Sequence, residues 1–493
     1  VIHEPPRTDQ GKGPRKDPSN GPRNHARSDL IDDSLPGTGR PGGDRSADNL
    51  SGDVLLPGDD GYADAATTFF ASGKPAIVVR PRDAAGVTAA IAHARREGLA
   101  LSVRSGGHGL LGAATNDDGM VLDLAHLDTV ELVDPVNRVV RVGAGATWGR
   151  TMATLAPHGL GLTAGDTAGV GVGGLTLGGG IGRLVRKHGL AVDNLVAARV
   201  VTADGRVLVA GPDEHADLFW AIRGGGGNFG VVVSFDFVAA RIELVHFGSI
   251  TYRPDDPERL VTAWRDHMRA APDSLTSTLA LVPPMFGGSA AATVTLCYTD
   301  DAVGPLRAIG PLRAIGQVLT DNVRVLPYPD VLADAHRPPG GRLLSRNTLV
   351  RALDDDVIEA AVAVYRGGTS VVLRSLGGAF GRVPADATAF AHRDAEAMIV
   401  CGAFLPPDAT DADADAVLAP WAAVARQGTG VYLNFQGSDA AADLATAYPP
   451  RTYARLAEAK RRYDPDNVLG RNHNIAPGNS APGNGTPTEG PDQ

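Results

Sequence analysis

The sequence predicts an α+β fold in which a glycine-rich, ligand-binding part precedes a second α+β part. Three observations lead there. Two glycine-rich stretches stand about 60 residues apart: Ser102-Val103-Arg104-Ser105-Gly106-Gly107-His108-Gly109, and residues 165–174 continuing through Gly178-Gly179-Gly180. A third run, Gly224-Gly225-Gly226-Gly227, leads into Asn228-Phe229-Gly230 and an apolar strand. Beyond Arg241 glycine thins out, and strand-like runs alternate with helical ones as in an α+β domain. Glycine lets the backbone approach a ligand with no Cβ in the way. Successive N–H groups in such loops form nests that hold pyrophosphate. Two loops of this kind, one of them holding a single histidine, point to a large diphosphate-containing cofactor.

The elements follow in order. Residues 1–50 are rich in Pro, Gly, Asp, Arg, Ser and Asn, and a chain of that kind buries too little surface to offset its ordering entropy. They are expected to be disordered, as is the similar tail 476–493. Residues 76–80 form a strand ended by Pro81, and Asp83 caps a helix closed by Gly98. A strand at 101–104 delivers the first glycine loop. Strands at 120–124, 130–133 and 138–142 follow, the last two joined by the turn Asp134-Pro135-Val136-Asn137. Residues 148–155 are a short helix. Residues 196–202 and 206–210 read as a hairpin with Asp204-Gly205 at its turn. In the later part, 291–298, 370–376 and 397–404 are strands and 354–365 a helix. Residues 431–435 are a strand and 452–463 a basic helix stopped by Asp464-Pro465. The hexapeptide Pro-Leu-Arg-Ala-Ile-Gly occurs twice, at 305–310 and 311–316, a local duplication too short to be an architectural repeat.

Composition narrows the function classes. A chain of 493 residues needs no disulfide staples, and Cys297 and Cys401 read as buried free thiols in apolar strands. No metal-ligand spacing of the CxxC or HExxH type is present. The net charge of −10 argues against nucleic acid as the main partner. No apolar run has transmembrane length, and no signal-peptide core is seen near residue 1. The expectation is a cytoplasmic protein, secretion left open, that binds a small molecule as monomer or homodimer, with no membrane partner. Residues 169–174 formally fit G-x-G-x-x-G with Asp193 beyond, but the run before them is nearly half glycine and no buried strand precedes it, which argues against a Rossmann site. His108, flanked by glycines, has an imidazole that as a neutral nucleophile could bond a cofactor.

Arg104-Ser105-Gly106-Gly107-His108-Gly109 resembles the flavin-attachment loop of the berberine bridge enzyme-like oxidoreductases, members of the vanillyl-alcohol oxidase (PCMH-type) FAD fold. Further segments are similar in family order: 165–182, 218–230, Tyr432-Leu433-Asn434-Phe435, Tyr463-Asp464-Pro465-Asp466-Asn467 and, more weakly, Phe390-Ala391-His392-Arg393. The resemblance implies a two-lobed PCMH-type FAD-binding domain at 51–241, a second α+β substrate domain on an antiparallel sheet at 242–430, and a C-terminal segment, 431–475, returning to the first. His108 would bond the 8α-methyl of the isoalloxazine, with Arg104 in the same loop. Ser105, Gly106, Gly107 and Gly109 would wrap the pyrophosphate. Asp166, Thr167, Val170, Gly171, Gly173, Gly174, Gly179, Asn228, Gly230 and Val232 would line the rest of FAD. Asn472 and Asn474 match the C-terminal motif. Many members carry a second flavin link through a cysteine where this chain has Thr167, so a single covalent histidyl link is expected.

The activity implied is an FAD-dependent oxidase removing two electrons from a small organic substrate, a secondary metabolite or sugar alcohol. Val170 stands where members that use oxygen tend to carry Val, so O2 is the expected acceptor and H2O2 the product. Two alternatives are a cyclic-amine oxidase and a flavin-containing drug-binding or resistance protein that reoxidises a reduced compound. Tyr432 is the candidate base. A phenol has a pKa of about 10, so a nearby cation would help, and His392 and Arg393 are the candidates for it.

Overall fold

The computed structural model describes residues 50–284, 288–299, 303–334 and 341–478. The tails expected at 1–50 and 476–493 lie outside these residues, apart from Leu50 and the stretch 476–478.

Three large sheets and a two-stranded one, Leu160–Gly161 with Ala240–Arg241, are formed by the described residues, and the α+β class stands. The first has four strands in the order Asp53–Leu55, Ile77–Arg80, Met120–Asp123, Leu101–Arg104. Its last three are parallel neighbours, and Asp53–Leu55 runs antiparallel along the edge. The helix Ala84–Arg96 makes the crossover. The Asp83 carboxylate accepts from the Gly86 N–H at 2.8 Å, capping that helix as its position before an apolar-periodic run predicts. Val87, Ala90, Ile91 and Ala94 face the sheet and are buried. Gly98, at φ +65°, takes the left-handed turn that ends the helix. The strand Leu101–Arg104 then delivers Ser105 to Gly109 at its carboxyl end, outside the hydrogen-bonded ladder.

The second sheet is antiparallel, in the order Val130–Asp134, Val139–Gly143, Val231–Val238, Leu195–Val201, Val207–Ala210. Both expected turns are present. The Asp134 carboxylate accepts from the N–H groups of Val136 and Asn137, and Gly205 at φ +86° closes the second hairpin. Apolar side chains from the first two sheets form one core with Trp148, Met152 and Leu155 of the capped helix Trp148–Leu155, and Tyr328 and Val331 of the later chain join it.

The third sheet has eight antiparallel strands drawn from Leu244–Tyr252 through Ala397–Leu405. Helices Pro257–Ala270 and Asp355–Arg366 cover one face with a separate core that includes Trp264, Ile358 and Val362. Cys297 and Cys401 are buried in this sheet as free thiols, and burial pushes both up to about 12. The duplicated hexapeptide splits: its first copy is the helix Pro305–Ile309 and its second a tighter 3₁₀ turn, Gly310–Ala314. Leu306 is 85% exposed and its counterpart Leu312 fully buried, so the two copies do different packing jobs.

One expected strand is absent. Residues 431–435 are not a strand: Leu433–Phe435 is a 3₁₀ turn. Tyr432 meets a side chain, that of Asn347, where a strand would meet main chain.

The C-terminal helix Pro450–Tyr463 buries Tyr453, Leu456, Ala457 and Lys460 at helical spacing. Lys460 ends in a fully buried pocket. Its ammonium donates to the Asp464 carboxylate at 2.6 Å and to the carbonyls of Asn228 and Leu469 at 3.0 and 3.2 Å. All three N–H bonds are used, so the charge is tolerated despite burial lowering its pKa. Lys460→Met removes the cation and leaves the Asp464 carboxylate buried and uncompensated. A loss of about 3–5 kcal/mol is expected, read as a fall in the denaturant midpoint, whereas a midpoint within error of wild type would show that the pocket does not depend on its charge.

Candidate active site

A cavity of about 400 Å³ opens where the glycine loops of the first two sheets meet the 432–436 turn and the segment 469–473. That is within the size range of cofactor sites. Of the expected site residues, Ser105, Gly106, Gly107, His108, Gly109, Asp166, Thr167, Val170, Gly171, Gly173, Gly174, Asn228, Gly230, Val232, Asn472 and Tyr432 line it. Arg104, Gly179 and Asn474 do not. The Arg104 guanidinium turns away to donate to the Asp123 carboxylate at 2.8 Å and the Thr67 carbonyl at 3.3 Å, which leaves it structural. Gly179, at φ +125°, packs against Phe390 behind the wall.

The two glycine loops touch backbone to backbone. A Cβ on Gly106 would stand 2.3 Å from the Gly171 nitrogen, and one on Gly171 would stand 2.2 Å from the Gly106 nitrogen. No residue but glycine fits at either place without moving a main chain. A Cβ on Gly109, Gly174 or Gly227 would meet nothing within 4 Å, so there the wall is left bare toward the cavity. The Ser105 hydroxyl donates to the Ala144 carbonyl at 2.6 Å and pins the first loop to the second sheet.

His108 stacks on Phe69 with ring centroids 4.4 Å apart. Burial lowers its pKa below the usual histidine value, so the imidazole is neutral at pH 7. Asn228 ties the far wall together: its amide donates to the carbonyls of Gly225 and His473 and accepts from the Ile475 N–H. The Asn472 amide donates to the Leu469 carbonyl, while its Oδ1 is buried with no hydrogen-bond partner.

Tyr432 is 2% exposed. Its hydroxyl oxygen accepts from the Gly180 N–H at 3.2 Å, the Ile181 N–H at 3.4 Å and the Asn434 amide at 2.9 Å. Gly180 reaches this geometry at φ +87°, and a Cβ there would stand 2.4 Å from the Ala191 side chain. Burial pushes the phenol above its ordinary value, opposed by these three donors and by the charge of Arg374. The nearby cation is therefore Arg374, not the expected His392 or Arg393. Arg393 makes a bidentate pair with Asp193 at 2.7 and 2.8 Å. His392 is held by the carbonyls of Thr446 and Ala447 at 3.0 Å, and burial lowers its pKa.

Asp166 links the cavity wall to the large sheet. Its carboxylate pairs with Arg374, and Arg183 approaches it to 3.3 Å. Burial alone would raise its pKa, but the two guanidiniums outweigh that and hold it at about 2, against 3.8 in a free side chain. A depressed carboxylate contributes stability that is present above pH 3.8 and lost as pH falls through about 2. The contribution is about 2 kcal/mol. Asp166→Asn is expected to flatten the stability profile between pH 4 and pH 2 in urea melts, and a profile as steep as wild type would contradict it.

Sequence reading passed over Arg471 and His473, which line the cavity between and beside the two asparagines it singled out. Arg471 donates to the Ser102 hydroxyl at 3.1 Å.

The chain matches the family described as FAD binding domain over residues 75–211 and that described as berberine and berberine like over residues 431–476. (R)-6-hydroxynicotine oxidase of Paenarthrobacter nicotinovorans is 33% identical to it over 474 residues, covering 87% of this chain and 97% of that one. The chain belongs to the berberine bridge enzyme-like family of FAD-linked oxidoreductases. A crystal structure of 6-hydroxy-D-nicotine oxidase from Arthrobacter nicotinovorans superposes on this family member with a TM-score of 0.78 at 30% identity, covering 87% of this chain and 98% of that one. Glucooligosaccharide oxidase from Acremonium strictum, described with a 6-S-cysteinyl, 8α-N1-histidyl FAD, shares the fold at a TM-score of 0.76 and 23% identity, over 86% of this chain and 97% of that one.

The residues present fit the cofactor of this FAD-linked oxidoreductase. The bare glycine walls leave room for a diphosphate, and the orphaned Asn472 Oδ1 is an acceptor with no partner inside the protein. Among the described residues no helix is long and apolar enough to cross a membrane.

Proposed function

We propose that this FAD-dependent oxidoreductase is an oxidase that removes two electrons from a small organic substrate, a secondary metabolite or sugar alcohol, and passes them to O2 with release of H2O2. Bound FAD supplies the redox chemistry, and the protein positions the substrate and tunes charge. Ser105 to Gly107 and Gly109 hold the diphosphate through main-chain N–H groups, and Gly171, Gly173 and Gly174 line FAD beyond it. Asp166, Thr167, Val170, Asn228, Gly230, Val232 and Asn472 line the remainder. His108 is the single covalent anchor, because Thr167 offers no thiol.

The observation that carries the catalytic reading is the environment of the Tyr432 hydroxyl. Three donors converge on its oxygen, two of them main-chain N–H groups, and it lies in the wall of the cavity. Donors aimed at a phenol oxygen stabilise the phenolate over the phenol. In this reading Tyr432 takes the substrate proton at Oη in its phenolate form, which the three donors and the charge of Arg374 favour against the burial that raises its pKa. Oxidation of a cyclic amine is a second reading, favoured by the identity to (R)-6-hydroxynicotine oxidase.

Holoenzyme mixed without oxygen with (R)-6-hydroxynicotine or with cellobiose tests both readings. Bleaching of the flavin by cellobiose supports oxidation of a carbohydrate hydroxyl, and bleaching by the nicotine supports the amine. Colour that returns in air with peroxide establishes O2 as acceptor. Bleached flavin that stays bleached in air would exclude it.

A further inference from the structure

The segment that carries Tyr432 meets the large sheet at a single antiparallel bridge and then departs from it. Leu349 of the edge strand Arg342–Val350 donates to the Gly430 carbonyl at 2.7 Å, and Thr429 donates back to the Leu349 carbonyl at 2.8 Å. Antiparallel partners move in opposite directions along the two chains. With Leu349 opposite Gly430, the main chain of Asn347 would next meet the main chain of Tyr432. It does not. The side chain of Asn347 stands there instead. Its Nδ2 donates to the Tyr432 carbonyl at 2.9 Å, and its Oδ1 accepts from the Tyr432 N–H at 2.7 Å. A primary amide offers a donor and an acceptor side by side, as a strand residue does. The substitution continues along the edge. The Asn347 Nδ2 also reaches the Gln436 side-chain oxygen at 3.3 Å, and the Ser345 hydroxyl donates to the Phe435 carbonyl at 2.9 Å.

Putting a side chain between two main chains sets them further apart than a ladder would. Leu433–Phe435 gains the space to turn as a 3₁₀ helix. The Tyr432 ring can then pack against Phe390 and Phe435 while its hydroxyl reaches Gly180, Ile181 and Asn434. We propose that Asn347 is a positioning residue for the reaction: its side-chain amide clasps the backbone of Tyr432 and so fixes where the hydroxyl stands in the cavity wall. Asn347 is 2% exposed and 85 residues from Tyr432 in sequence. It touches the reaction only through that tyrosine. The inference rests on the reading of Tyr432 as the base.

Asn347→Leu keeps the size of the side chain and removes both contacts. Holoenzyme of this variant is expected to keep its flavin content. Its rate of flavin reduction by (R)-6-hydroxynicotine or cellobiose is expected to fall about 100-fold, the scale of an ångström's misplacement of a reacting group. Substrate affinity should stay unchanged. In a Tyr432→Phe background the same substitution should cost nothing further, because the group it positions is gone. An equal loss in both backgrounds, or reduction at the wild-type rate, overturns the proposal. A Tyr432→Phe enzyme reduced as fast as wild type sinks the base reading instead. The crystal structure of Asn347→Leu still judges the clasp in that case: Tyr432 leaving the Gly180 and Ile181 N–H groups supports it, and Tyr432 unmoved refutes it. Should the leucine variant fail to bind flavin, Asn347→Asp keeps the acceptor for the Tyr432 N–H and loses the donor. A smaller fall, about 10-fold for one lost hydrogen bond, is expected there, and an unchanged rate overturns the proposal.

Discussion

Replacing His108 with alanine is expected to remove all flavin colour from acid-precipitated protein, whereas the wild-type pellet stays yellow. Its imidazole stands in the first glycine loop of the cavity wall, whereas that of His473, which also lines the cavity, is held by the Ser438 carbonyl at 3.1 Å. The His108 ring is held flat against Phe69, and burial keeps it neutral. The remaining candidates are ruled out by chemistry or by place. Thr167 lines the cavity but carries a hydroxyl, and Cys297 and Cys401 are buried in the large sheet with thiols pushed up to about 12. The native variant should still bind FAD, because Gly106, Gly171 and their neighbours are untouched. Colour surviving in the His108→Ala pellet would reveal a second anchor. Colour washing out of the wild type would show that no covalent link forms.

Tyr432→Phe is expected to slow flavin reduction by about 10²–10⁴-fold, the range of general acid–base catalysis. The ring remains and continues to fill the apolar cluster with Phe380, Phe390 and Leu349, so the fold and the flavin content should hold. What disappears is the one oxygen on which Gly180, Ile181 and Asn434 converge. The pH profile should separate this role from packing. Loss of a base removes the limb of the reduction rate that rises with pH, while a packing defect lowers the rate evenly across the profile. An even loss would return Tyr432 to a purely structural part.

Glycine made much of the site legible in the sequence. At Gly106 and Gly171 the chain needs a residue without a side chain because two main chains touch there, and at Gly180 because φ is positive. Such demands are local and leave a mark on the residue type. The cap at Asp83 and the turn at Gly205 were readable for the same reason. Long-range pairings leave no such mark. His392 and Arg393 sit in a family-like segment and read as the cations for Tyr432, yet the charge that acts on it is that of Arg374, on another strand and itself paired with Asp166. The run 431–435 reads as a strand because its residues suit one, and only the position of Asn347 shows that its partner is a side chain. Leu306 and Leu312 make the same point within identical hexapeptides: burial is decided by what the rest of the chain brings up to them.

The two walls of the cavity are made at very different moments of synthesis. Ser102, at the base of the first glycine loop, and Arg471, which reaches back to its hydroxyl, are 369 residues apart. The buried ammonium of Lys460 fastens helix Pro450–Tyr463 to Asn228 and Leu469, and Asn228 in turn holds His473 and Ile475. A nascent chain on the ribosome therefore carries both glycine loops and Asn228 long before the last wall is translated. Without Leu469 to His473 the cavity would lack that side of its lining. A chain terminated ahead of residue 460 would lack both that wall and the fastening that holds it.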